Sequence, residues 1–226
     1  DPGCEPLKSK SFDVTCPGVD LCEGVICDDT GNECTAEECN PANGLCEVVN
    51  LDGNECNAGG GSVDVADNGG VEEGTLNGWE ATFCTPPDFS GPCTADNTMP
   101  NTGDWAVRMF NDVRATPSVL KQANKAVGLV QPDSQVTVRF AAKGFFGPGG
   151  VAFAEFFSEL AGGGTSKAEI LGGGPILVAD TPEYQLFEFT VTTGPDVSGG
   201  ITLQFNAATA DIEGSTAELF VDDVVI

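Results

Sequence analysis

The chain contains no histidine. Its absence removes the commonest general base and the commonest zinc ligand, and with them any serine–histidine or cysteine–histidine catalytic pair. Bases are scarce: 9 Lys and Arg stand against 35 Asp and Glu in 226 residues, a formal net charge of −26. Such a chain repels phosphate backbones and anionic membranes, so no nucleic-acid partner is expected. No long apolar run occurs, so no membrane insertion is expected either. No leader-like segment is present, and the opening at Asp1 reads as a processed start. Tyr occurs once and Trp twice, against 14 Phe. The aromatic supply is thus directed to a core more than to a polar binding surface. No C-x-x-C pair exists, which with the missing histidine argues against zinc. No N-x-S/T sequon occurs, which points to a bacterial source.

What is present begins with ten cysteines, an even number and a high density for this length. That usage predicts disulfides and an extracellular, oxidising compartment, secreted or at a cell surface. Eight of the ten lie between residues 4 and 56. A Gly-rich stretch follows, so the expected division is a disulfide-stapled domain over 1–57, a hinge over 58–62 and a larger domain over 63–226. The first is too small and polar to hold a core without its bridges. Its pairing cannot be read from spacing. The last two cysteines, Cys84 and Cys93, bracket the Pro-rich loop "CTPPDFSGPC" and are expected to pair with each other.

From residue 63 onward the pattern alternates in twos. "QVTVRFAA" places Val136, Val138 and Phe140 on one face, "YQLFEFTV" places Phe187, Phe189 and Val191, and "GITLQFNA" places Ile201, Leu203 and Phe205. "WAVRMF", "VAFAEFFSEL" and the closing "AELFVDDVVI" also read as strands, whereas "PSVLKQANKAVGLV" is ambiguous. Gly- and Pro-rich turns separate them. The predicted class is all-β, an antiparallel β-sandwich with a small N-terminal disulfide-rich domain. Strand neighbours point to opposite faces, so the closing strand raises a question: one of Asp222 and Asp223 should point at buried surface, where an unpaired carboxylate costs several kcal/mol.

Two stretches carry a family resemblance. "NGGVEEGTLNGWEA" (68–81) and the closing "AELFVDDVVI" resemble the first and last strands of jelly-roll carbohydrate-binding modules of families four, nine and twenty-two. The opening pattern there is N-x-G-F-E-x-G-x-x-x-G-W, and Val71 stands in place of its Phe. "NTGDWAVRM" and "ITLQFNA" are similar to interior strands of the same modules. The resemblance implies a structural calcium ion held by Glu72 and Asp222, with Asp104 and backbone oxygens of 101–104 as companions, and with Glu73 and Asp223 outward. Calcium takes several hard oxygens and would offset the buried charge. The resemblance also implies polysaccharide binding, for which Trp105 and Tyr184 are the candidate platforms and Phe89, Phe145 and Phe146 candidate exposed rings. Separately, "CDDTGNECTAEECNPANGLCEVVNLDGNEC" resembles short Cys-rich, growth-factor-like modules, and Asp28, Asp29, Asn32 and Glu33 there are a further candidate calcium cluster.

No nucleophile–base constellation is present, and no enzymatic activity is expected. A Cys-rich head before a sandwich with free sheet edges suits a structural or adhesive subunit that self-assembles with copies of itself into a surface layer or filament. That is the leading expectation; capture of a polysaccharide is the alternative.

Overall fold

The computed structural model describes residues 35–39, 46–50, 63–81, 84 and 93–226. The chain divides into two units, 1–63 and 64–226. In the first, strands β1 (Thr35–Cys39) and β2 (Cys46–Asn50) form an antiparallel hairpin, with Thr35 opposite Asn50 and Cys39 opposite Cys46. The remaining cysteine framework of that unit, the cluster from Asp28 to Glu33, and Phe89 lie outside the described residues.

The second unit is a jelly-roll β-sandwich. Its strands are β3 (Thr94–Asp96), β4 (Ala106–Asn111), β5 (Pro117–Lys125), β6 (Gln135–Phe146), β7 (Val151–Glu159), β8 (Thr165–Ile170), β9 (Thr181–Thr192), β10 (Gly200–Ala208) and β11 (Ala217–Val225). One sheet has the order β5-β10-β7-β8, the other β3-β4-β11-β6-β9, and all pairings are antiparallel. The last strand is thus inserted between β4 and β6, in the sheet facing its sequence neighbour β10.

The alternating faces meet between the sheets. Phe140 from β6 packs edge-on against Phe205 from β10 at 4.9 Å and stacks on Phe187 from β9 at 5.2 Å. Val138, Phe156, Leu120, Ile201 and Leu203 are buried around them. Each such side chain contributes about 1.5–3 kcal/mol on burial. The ambiguous "PSVLKQANK" is strand β5: Ser118, Leu120 and Gln122 point inward, and Pro117 occupies a strand start, where its missing N–H is tolerated. Gln122, fully buried, accepts from the Asp67 amide (3.1 Å) and donates to the Asp67 carbonyl (2.6 Å), fastening the segment that precedes β3. Strands β3 and β8 carry no alternation strong enough to be read from sequence.

Strand β11 resolves the paired carboxylates by a bulge. Ala217, Leu219 and Val221 face the core, so Asp222 faces out. Between Asp222 and Val225 the register against β6 shifts by one residue, and Asp223 takes φ +52°. The extra residue changes the parity of the strand. Val224 and Ile226, rather than Asp223 and Val225, return to the core.

Candidate functional site

Asp222 points away from the sandwich interior and is nevertheless fully buried. The segment after β3 lies over it. Asp222 Oδ2 accepts from the amides of Asn101 (2.8 Å) and Thr102 (3.2 Å), and Oδ1 accepts from the amide of Asp223 (2.8 Å). Burial pushes this carboxyl above its ordinary value, the three amides pull it down, and the charge of Asp223 pushes it up. Asp223 holds the same segment from outside, accepting from Asn101 Nδ2 (2.7 Å) and Thr102 Oγ1 (2.5 Å). Glu72 Oε2 accepts from the Asp104 amide (2.8 Å). Gly103 must be glycine here: its φ is +60°, and a Cβ would lie 2.3 Å from the Glu72 carboxyl carbon.

Glu72 and Asp222, paired by the sequence reading, are indeed brought together. Each gives one oxygen to the loop amides; the other two oxygens flank Gly70. A Cβ added at Gly70 would stand 3.6 Å from Asp222 Oδ1 and 3.7 Å from Glu72 Oε1. No lysine or arginine forms an ion pair with either carboxylate among the described residues. Two hard oxygens, one on a buried anion, border this side-chain-free cradle, fewer than the six to eight that calcium takes. Asp104 does not bring a third acid: among the described residues no group of three or more acidic, Cys or His side chains is arranged to hold a metal. Asn101, Thr102 and Asp104 turn their N–H groups, not their carbonyls, to the carboxylates.

The two expected sugar platforms, Trp105 and Tyr184, are both partly exposed. Trp105 is half-buried against the core, and a Cβ at Gly74 would touch its ring at 3.0 Å. Tyr184 donates to the Met99 carbonyl (2.7 Å), and Lys143 Nζ sits 4.6 Å over its ring. Burial, then the charges of Asp222, Asp223 and Asp96, pushes the Tyr184 phenol well above its ordinary value. Phe145 meets Phe220 edge-on at 6.5 Å, and Phe146 packs against the core.

A second candidate site lies on the opposite sheet. The outward residues of β7 are Phe153, Glu155, Phe157 and Glu159, and those of β10 are Thr202, Gln204 and Asn206. Gln204 stands opposite Glu155 on one side and Lys121 on the other. Gln204 Nε2 donates to Glu155 Oε2 (2.7 Å) and to Asn206 Oδ1 (3.1 Å), and Asn206 Nδ2 donates to the same Glu155 oxygen (2.5 Å). Two cavities flank this fixed row. One, of about 450 Å³, is lined by Phe153, Glu155 and Asn206; the other, of about 460 Å³, by Lys121, Glu159 and Thr202.

Neither a protein-family model nor a curated protein sequence matches the chain. Solved structures do. A family 16 carbohydrate-binding module is similar at 16% identity, over 71% of this chain and 97% of that one, with a TM-score of 0.43. A family 22 xylan-binding domain from Paenibacillus barcinonensis is similar at 12% identity, over 73% and 96%, with a TM-score of 0.46. The enzymatically active domain of tailspike protein 4 from bacteriophage CBA120 is similar at 15% identity over 73% of this chain, with a TM-score of 0.51; the match spans 22% of that chain. The likeness is one of fold.

The sequence reading missed the Gln204–Glu155–Asn206 row. Its signal was available as the complement of the core pattern: in "GITLQFNA" and "VAFAEFFSEL" the residues between the inward ones include two amides, a threonine, two carboxylates and two phenylalanines. Among the described residues no helix is long and apolar enough to cross a membrane.

Proposed function

We propose that residues 64–226 form a non-catalytic, secreted polysaccharide-binding module, with the outer face of the four-stranded sheet as its groove. The observation that carries this reading is the Gln204–Glu155–Asn206 row. Three polar side chains on an outward face are locked to one another between two cavities, with Phe153 and Phe157 beside them. Fixed polar groups flanked by apolar rings suit the alternating hydroxyl and C–H faces of a sugar, and their order lowers the entropy cost of binding. Affinity electrophoresis through soluble polysaccharides tests the reading. Retardation by at least one glycan, abolished in Asn206→Ala and Phe153→Ala proteins that melt like the parent, is the expected result. Unretarded migration on every glycan, with soluble oligosaccharides also failing in calorimetry, would sink it.

Calcium is proposed as a structural ion at Glu72 and Asp222. It would neutralise the buried charge and so tighten the latch that holds residues 99–104 over β11. The Cys84–Cys93 bridge, which closes the loop before β3, is consistent with secretion.

Self-assembly is a second reading, and one observation favours it. Strand β9 is a twelve-residue edge strand with Leu186 82% exposed near its middle. A free edge of this length can pair with a second copy. Sedimentation velocity across a concentration series decides it: a single monomer boundary at all concentrations excludes assembly by this route.

A further inference from the structure

The polar groove has a charge that narrows its ligand. Glu80, Glu155, Glu159 and Asp211 line its two cavities. Two of these have basic partners: Glu80 lies 3.8 Å from Lys121, and Asp211 lies 3.7 Å from Arg114. Glu155 and Glu159 have none among the ion pairs of the described residues. They are four residues apart on the same face of β7, a spacing of about 13 Å along the strand. Glu155 keeps one oxygen clear of the two amides that bond the other, and Asn206, only 7% exposed, holds it in place at the cavity wall.

Resting on the polysaccharide reading above, we propose that the groove takes a cationic, amino-sugar polysaccharide, with Glu155 and Glu159 receiving ammonium groups of one chain. A uronate or sulfated glycan would bring its charge against both carboxylates with no unpaired base in the groove to receive it. A neutral glycan would make the amide and ring contacts only. An amino-sugar chain makes those contacts and adds a charge-assisted hydrogen bond at each end of the row. The gain is electrostatic and partly exposed, so added salt weakens it.

Calorimetry of the full chain with three tetrasaccharides tests this: fully deacetylated β-1,4-glucosamine, its N-acetylated form, and cellotetraose. The N-acetylated form keeps the ring and removes the charge. At low salt the deacetylated tetramer is expected to bind about tenfold more tightly than the other two, and about 0.5 M salt should erase most of that difference. Glu155→Gln and Glu159→Gln should each narrow the preference for the deacetylated tetramer over cellotetraose about fivefold. Glutamine keeps an acceptor for Gln204 and Asn206, and Glu159 stands outside that row, so one variant remains informative if the other misfolds. Glu188→Gln, an equal change of charge on the other sheet, should have no effect. Equal affinity for the neutral and cationic tetramers, or an equal loss in Glu188→Gln, would overturn the assignment while leaving the binding module intact. Failure of all three sugars would overturn this inference, and the module reading falls with it only if no polysaccharide retards the protein in affinity electrophoresis.

Discussion

The two outer faces of the sandwich are built on opposite plans. On the five-stranded sheet, the outward residues of β11 are covered. Asp222 is sealed under loop amides, Phe220 is buried beneath Lys143, and Arg108 is paired with Glu218 at 2.6 Å. On the four-stranded sheet, Glu155, Gln204 and Asn206 are ordered among themselves, with the outward residues of β7 half-exposed and Thr202 and Asn206 buried. The contrast shows that a polar outward row can be fixed in two ways. Where a loop closes over it, the row becomes part of the fold. Where the row satisfies itself laterally, its polar groups are paired with one another rather than with a loop.

The comparison breaks most visibly on the covered side. Asp222→Ala leaves the amides of Asn101, Thr102 and Asp223 without their acceptor and should cost about 3 kcal/mol. Thermal melting should show the loss, while glycan retardation at permissive temperature should persist. Calcium sharpens the same point: at a hundredfold excess over its dissociation constant it should stabilise the module by about 2.7 kcal/mol, reversed by a chelator, with Glu72→Gln abolishing the effect.

The single tyrosine gives a pH test of the cover. Its folded value is raised, so the neutral phenol is favoured in the native state. That contribution is complete below about pH 10, the value of the unfolded chain, and is lost as pH rises beyond it. Phenolate absorbance should therefore appear only as the protein unfolds, and Asp222→Ala should bring it to lower pH. A free titration near pH 10 in the folded protein would show that the cover is absent.

The four-stranded sheet should answer differently. Phe153→Ala should lower glycan affinity about tenfold, near 1.4 kcal/mol, with a smaller change in melting temperature than Asp222→Ala. The smallest effect belongs to neither plan. Arg139 and Glu188 form an ion pair at 2.6 Å with both side chains more than half exposed, and Glu188→Gln should change stability by less than about 0.5 kcal/mol.

The legibility of this molecule follows the same division. The core was readable because a buried face repeats every second residue: Val138, Phe140, Ile201, Leu203 and Phe205 all point where alternation puts them. Glu72 and Asp222 were readable as a pair because the terminal motifs that carry them resemble a known pattern. The partners of Asp222 were not, because backbone amides leave no trace in residue identity. Trp105 and Tyr184 were singled out as platforms for sugar rings; the contacts of their rings with Gly74 and Lys143 were not readable, because they depend on tertiary packing. Gln204 and Asn206 could have been found only by asking what the strands present on the side away from their phenylalanines. Strand β8 was hidden because an edge strand with five of six residues polar or small, "TSKAEI", has little pattern to show.

The bulge in β11 has a consequence for insertions and deletions. Removing one residue from a strand normally turns every later side chain to the wrong face. At Asp223 it would not, because this residue is the extra one. A chain lacking it could run from Asp222 into Val224 as a regular strand, with Val224 and Ile226 still inward and with the outer grip on Asn101 and Thr102 and the Asp223 amide on Asp222 Oδ1 lost. Strand β11 therefore contains a position where the length of a strand can change by one without a change of core.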